Sequence, residues 1–262
     1  MILMIYKNEF LYLYYYNKFI LHKMYRCDPD TEIITNVCKK LIGSKIKLNY
    51  NITLIDGEIH TTEFMDCNII GNVMENIVFP FLQKKLPKLI KGPKQASPDF
   101  FNGEYELELK MFTGTPSFDI ANYNSYIIQL EKDMIKKLYK TQYLIFKYSI
   151  HDQYVIIDDF KLHHIWNIIS YTGIYPISLQ NKRGLWYNIR PCSFQNMDIK
   201  KNDILFIKKI CDSIKECPNI INDKHIIIES IKNQFDEIQK QNKLVNSLNE
   251  ILKLFNKINL NI

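Results

Sequence analysis

The sequence predicts an α/β protein in which a central mixed β-sheet is flanked by helices and followed by one long C-terminal helix. Three observations carry this. Residues 97–111 and 142–160 show the alternation and the β-branched and aromatic content of paired strands. Segments 71–86 and 120–139 have apolar residues at helical spacing. Beyond residue 223, Ile231, Ile238, Val245 and Leu252 recur at strict heptad spacing, with Leu248 and Phe255 three residues after the last two. No glycine-rich phosphate loop and no internal repeat points to another architecture.

In chain order, residues 30–41 read as a helix with Asp30 or Thr31 as N-cap, and 45–54 and 58–64 as strands around an Asp56-Gly57 turn. The helix over 71–86 is interrupted at Pro80 and stopped by Pro87. A long amphipathic helix over 120–139 precedes strands at 142–150 and 154–160, joined by a His151-Asp152-Gln153 turn; the run YLIFKYSI is β-rich enough for a central strand. His163 and His164, adjacent in a helix expected over 161–169, diverge by about 100° and cannot jointly chelate a metal from it. In the last helix Gln234 and Gln241 place polar groups in the seam, which favours packing on the protein's own core over a dimer interface.

Composition bounds the possibilities. At 262 residues and 47% hydrophobic, the chain can bury one full core: an N-terminal extension over 1–27, a principal domain over 28–220 and a terminal helix over 221–262. The net charge of +6, from 34 basic and 28 acidic residues, suits a polyanionic partner without identifying one. Cys27, Cys38, Cys67, Cys192, Cys211 and Cys217 form no CxxC pair and read as reduced thiols of a cytoplasmic protein. Cys211 and Cys217 with His225 match no common zinc spacing and lack a fourth ligand. The apolar first 25 residues are broken by Lys7, Glu9, Lys18, His22 and Lys23, short of the roughly 20 apolar residues a spanning helix needs, so no membrane partner is expected.

Chemistry concentrates in SPDFFNGEYELELK, residues 97–110. Asn102-Gly103 is a strong hairpin signal, because both residues tolerate the positive φ of a type I′ turn. After it, Glu104, Glu106, Glu108 and Lys110 alternate with Tyr105, Leu107, Leu109 and Met111, so one face packs and the other meets solvent or ligand. A strict two-residue loop sets Asp99 opposite Glu106, with Glu108 diagonal; a longer loop from Asn102 to Tyr105, or a bulge, sets Asp99 opposite Glu108. Either register lets both carboxylates share a cation. Asp99, Glu108 and the Leu109 backbone carbonyl offer the oxygens Mg²⁺ prefers, which would offset the repulsion between the carboxylates. The Lys110 ammonium, on the same face as Glu108, is suited to stabilising charge on an attacked phosphate or lowering the pKa of the attacking water. An ordinary solvated strand face with cross-strand charge pairs has the same pattern.

Residues 177–190, ISLQNKRGLWYNIR, place Gln180, Asn181, Lys182 and Arg183 at a hairpin tip before Gly184, a ribbon of the width that enters a DNA major groove. Asn188 and Arg190 share a strand face with Trp186, as a second contact row or as a structural ion pair. The tip can read guanine edges or merely hold phosphates.

Pro98-Asp99 and Glu108-Leu109-Lys110 resemble the motif of the PD-(D/E)xK nucleases. Over residues 28–194 the chain further resembles type II restriction endonucleases of the NgoBV-like group. The matching segments are Gly71-Asn72-Val73, Pro98-Asp99-Phe100-Phe101, Glu108-Leu109-Lys110, Ser117-Phe118-Asp119-Ile120-Ala121, Asn124-Ser125-Tyr126, Tyr143-Leu144-Ile145-Phe146 and Tyr187-Asn188-Ile189-Arg190-Pro191-Cys192. The resemblance implies a restriction-endonuclease-like core, cleavage of double-stranded DNA at a short palindrome (GGNNCC), and catalytic residues at Asp99, Glu108 and Lys110. It also implies a further acidic residue from the preceding helix, for which Glu75 is the candidate. A palindromic site suits a homodimer, and such an enzyme needs a cognate methyltransferase to protect the host genome. Two alternatives stay open: a repair or mobile-element nuclease, and a basic DNA-binding protein without catalysis. The resemblance begins near residue 28, which suggests Met24 as the native start; intact mass of the naturally expressed protein tests this, and detection of the Met1 form would reject it.

Overall fold

The computed structural model describes residues 28–259 except 48, 64–66, 94–96, 153 and 221–222; the extension over 1–27, with Met24, lies outside the described residues. Helix α1 (Asp28–Lys39) is followed by β1 (Lys45–Lys47), the hairpin β2 (Asn49–Thr53) and β3 (Ile59–Glu63), and α2 (Cys67–Gln83). Next come β4 (Ile90–Lys91), β5 (Phe100–Phe101), β6 (Glu106–Phe112), β7 (Ala121–Asn122), α3 (Tyr123–Lys132) and a π-helical turn (Ile135–Lys140). The rest comprises β8 (Thr141–His151), β9 (Tyr154–His163), α4 (Ile165–Ile168), β10 (Leu179–Lys182), β11 (Leu185–Ile189), α5 (Asp203–Glu216) and α6 (Lys224–Asn259).

Six strands form the main sheet in the order β1-β9-β8-β6-β5-β4, with β6 and β8 parallel and the other neighbours antiparallel. The predicted mixed α/β class with a long terminal helix is therefore what forms. Strand β8 is apolar on both faces because both are covered, the usual reason for a continuous apolar strand. Leu144 and Phe146 enter a core with Ile34 of α1 and Met74 and Val78 of α2, while Tyr143 and Ile145 enter a larger core with α3, α5 and α6.

Several boundaries differ from expectation for identifiable reasons. Helix α1 begins at Asp28, so Asp30 lies inside it and accepts the Tyr105 hydroxyl at 2.9 Å instead of capping. The strand expected over 45–54 divides: β1 joins β9, whereas β2 pairs with β3 in a separate hairpin. The helix expected over 120–139 breaks at Asp133, whose side chain takes the Lys136 N–H at 3.0 Å and starts the π-helical turn. Strand β9 runs on to His163, because Leu162 and His163 pair with Leu144 and Tyr143; only α4 remains of the helix expected over 161–169. The histidines diverge all the same, His163 toward Asp198 at 3.7 Å and His164 stacked on Trp166.

In α6, Ile231 and Ile238 are buried and Gln234 donates to the Glu131 carbonyl at 2.6 Å, so this part of the heptad stripe packs on the chain's own core. The side chains of Val245, Leu248, Leu252 and Phe255 lie outside the described residues. Among the described residues Cys38, Cys192, Cys211 and Cys217 are buried free thiols, and burial pushes Cys38 up to about 12. No described helix is long and apolar enough to cross a membrane.

Candidate active site

The β5–β6 hairpin pairs Phe100 with Leu107 and Phe101 with Glu106, and the Asn102 N–H bonds the Tyr105 carbonyl at 3.3 Å. Positive φ falls on Gly103, not on Asn102. The chain thus reverses over a loop from Asn102 to Tyr105, with its bend at Gly103 and Glu104. The Asn102 side chain explains the shift, since its Oδ1 accepts the N–H groups of Glu104 and Tyr105 at 2.9 and 3.0 Å. Continuing this register sets Asp99 across from Glu108, the longer-loop alternative of the two that the sequence left open.

Two contacts fix Asp99. Its Oδ2 accepts the Leu109 N–H at 2.6 Å, and its carbonyl accepts the Gly92 N–H at 2.8 Å. Residue 92 must be glycine for this approach, because a Cβ there would stand 1.6 Å from the Pro98 carbonyl oxygen. Glu108 takes the Ser97 hydroxyl on one carboxylate oxygen and faces the Lys110 ammonium at 3.5 Å on the other.

The charged face of β6 is not solvated as a simple amphipathic strand would be. Glu106 and Glu108 are 8% and 5% exposed, because this face lies beneath α3 and the π-helical turn. Glu106 is held structurally by Lys136 at 2.8 Å and by the Thr141 hydroxyl at 3.1 Å, while Glu104 sits exposed in the turn.

Asp99, Glu108 and Lys110 open into one cleft of about 680 Å³, which Glu75 also lines. Asn72 and Asn76 of α2 form part of its wall, together with Asn122, Ser125 and Gln129 at and beyond the start of α3. Burial, and then the Glu108 charge, raise Asp99 to about 6 against the opposing pull of Lys110. Glu75 is raised as well, by burial first, with Lys91 and Lys110 opposing.

Carboxyls made reluctant to ionise by burial and by each other are those a cation would compensate. Among the described residues no three His, Cys, Asp or Glu side chains gather closely enough to hold a metal alone. A site here would draw on two carboxylates, a backbone oxygen and waters, a donor set that suits Mg²⁺. The Leu109 N–H points to Asp99, and in a strand the N–H and C=O of one residue project the same way, so the Leu109 carbonyl faces that side too.

The family model described as NgoBV restriction endonuclease matches residues 31–255. The chain belongs to this family. The type II restriction enzyme NlaIV of Neisseria lactamica is 31% identical over 150 residues, covering 53% of this chain. That match spans 60% of the relative's length. A solved structure of the NlaIV restriction endonuclease superposes with a TM-score of 0.65 over 80% of this chain and 89% of that one, at 21% identity, which shows a common fold.

In this member of the family, the hairpin singled out for DNA stands beside the cleft. Strands β10, β11 and β7 form a three-stranded sheet in which Asn188 pairs with Asn122 of the cleft wall. Arg183 and Gly184 both take positive φ, the type I′ turn, and leave Lys182 and Arg183 exposed at the tip. Gln180 accepts from Asn188 at 3.2 Å, and Asn181 binds the Gly184 N–H and the Tyr175 hydroxyl. Arg190 pairs with Asp119 at 2.9 Å and donates to the Ser117 carbonyl, the ion-pair role the sequence had left open.

Sequence reasoning passed over Ser97 as a Glu108 partner and Asn122, Ser125, Gln129 and Lys137 as cleft residues. The last four lie on segments distant from the motif, and nothing in their spacing marks them.

Proposed function

We propose that this protein is a type II restriction endonuclease that hydrolyses phosphodiester bonds of double-stranded DNA with Mg²⁺, at a short palindrome of the GGNNCC type, leaving 5′-phosphate ends. The observation that carries it is the placement of Asp99, Glu108 and Lys110 in one cleft, in a chain whose family is that of NgoBV. Asp99, Glu108 and the Leu109 carbonyl would hold the cation, with Glu75 as a further acidic group. The chemistry the cation supplies is charge neutralisation at the phosphate and activation of the attacking water. Ser97 orients Glu108 through its hydroxyl, and Lys110 stabilises the charge that builds on the phosphorus oxygens. Lys182 and Arg183, with Gln180, Asn181 and Asn188 behind them, form the DNA-facing ribbon, and Arg190 braces its base through the ion pair with Asp119. A two-fold homodimer matches a palindrome, and a cognate methyltransferase completes the system.

Digestion of a sequenced plasmid with Mg²⁺ tests this directly: discrete bands whose ends map to one sequence are expected. A smear would favour a repair or mobile-element nuclease, and binding without cutting in Mg²⁺ or Mn²⁺ would leave a non-catalytic DNA-binding protein. In the same digest, joint replacement of Lys182 and Arg183 by alanine is expected to weaken cutting at that sequence about tenfold or more.

A pH dependence follows from Asp99. A carboxyl raised to about 6 from an ordinary 3.8 contributes stability only while protonated, so that contribution is full below about 3.8 and lost as pH rises through about 6. A cation must displace this proton. Metal affinity is therefore expected to rise roughly tenfold per pH unit below about 6 and to level off above it, with proton release detectable by calorimetry in buffers of different ionisation enthalpy. Affinity that does not vary between roughly pH 5 and pH 8 would remove Asp99 from the metal site.

A further inference from the structure

Lys137 is a lysine only 7% exposed, yet it lines the same cleft as Asp99, Glu108 and Lys110. Its neighbour Lys136 is paired with Glu106 at 2.8 Å. Lys137 differs: among the described residues no carboxylate oxygen lies within 4.0 Å of its ammonium and no hydrogen bond is made to it. Its Nζ lies 5.7 Å from the centroid of the Tyr126 ring. The other cleft lysines have partners, Lys110 in Glu108 and Lys91 in the Asn76 amide oxygen at 2.5 Å. Holding an ammonium at this depth with no carboxylate in direct contact is costly, and a ligand that brings a negative charge into the cleft offsets that cost. Burial accordingly lowers the Lys137 pKa from its ordinary value, while the charges of Glu108 and Glu106 oppose the shift. The residue lies in the π-helical turn that begins after Asp133, and such turns recur at functional sites.

We propose that Lys137 is a phosphate-binding residue of the cleft, its ammonium taking a non-bridging oxygen of the strand being cut. This rests on the nuclease reading and extends it. In that role Lys137 completes a division of labour: the acidic groups face the cation, and Lys137, with no carboxylate oxygen of the described residues within 4.0 Å, faces the polyanion.

The test is the salt dependence of binding to a duplex oligonucleotide carrying GGNNCC, with Ca²⁺ occupying the oxygen site. Lys137→Met keeps the apolar stem and removes the charge. It is expected to bind about tenfold more weakly and to flatten the slope of log K against log salt by about 0.9, the loss of one phosphate contact. Lys137→Gln is expected to repeat the flattening, which keeps the test decisive if the methionine variant fails to fold, and Lys137→Arg to retain the wild-type slope. Folded Met or Gln variants with an unchanged slope would overturn the proposal. Wild-type cutting in Mg²⁺ scores the nuclease reading separately, since binding in Ca²⁺ reports on Lys137 whether or not the wild type cuts.

Discussion

Replacing Asp99 by alanine is expected to abolish metal-dependent DNA cleavage, a loss of at least about 10³-fold, while duplex binding stays close to wild type. The size follows from position. Asp99 lies across from Glu108 in the hairpin register, and its carboxylate reaches the backbone of the residue between Glu108 and Lys110. Removing it takes away one of two carboxylates that can hold a cation, together with the acceptor that fixes the Leu109 N–H. Stability is expected to change little. Loss of that hydrogen bond costs about 1 kcal/mol, offset by relief of a buried carboxylate that resists ionisation beside Glu108. Plasmid cleavage, oligonucleotide binding and thermal melting together decide the matter. A variant that cuts within about tenfold of wild type would show that Asp99 holds no essential cation.

The grouping of Asp99, Glu108 and Lys110 in one cleft was legible in the sequence because it is local: the three fall on or beside one hairpin, where alternation and a turn signal suffice. Even there the register was undecided, since it depends on which backbone groups the Asn102 side chain caps, a choice between turn geometries of similar energy. Burial of Glu106 and Glu108 was not legible. The alternation showed two faces, but which face is covered depends on α3 and the π-helical turn, which arrive later in the chain. Similarly, β9 and the segment at His163 followed cross-strand pairing with β8 over a weak helical spacing, a tertiary preference that a local window does not contain. Lys137 was hidden for the opposite reason: in a stretch of sequence rich in lysine, nothing but depth distinguishes it from Lys132 and Lys136.

Gly92→Ala is the most damaging change expected outside the carboxylates, although residue 92 carries no functional group. An added Cβ would lie 1.6 Å from the Pro98 carbonyl oxygen, 2.8 Å from its carbon and 3.4 Å from the Asp99 carbonyl oxygen. The obstructing atoms are backbone, so no rotamer change relieves them. Relief requires β4 and the Pro98-Asp99 segment to part, which strains the Gly92 N–H bond to Asp99 at 2.8 Å and the pairing of Lys91 with Phe100. Overpacking of this kind typically costs about 1–3 kcal/mol. On the proposed reading, a displacement of Asp99 by about 1 Å lowers cleavage by about 10²-fold, because the carboxylate would have to meet a cation at a fixed distance. Gly71→Ala is the matched control: Gly71 lies within α2, where a Cβ meets nothing within 4 Å. It is expected to keep full activity and to gain up to about 1 kcal/mol from helix propensity. Melting temperature and cleavage rate of the two variants separate close backbone packing from a general intolerance of alanine, and a Gly92→Ala protein with wild-type values of both would refute the close approach that sets Asp99 in place.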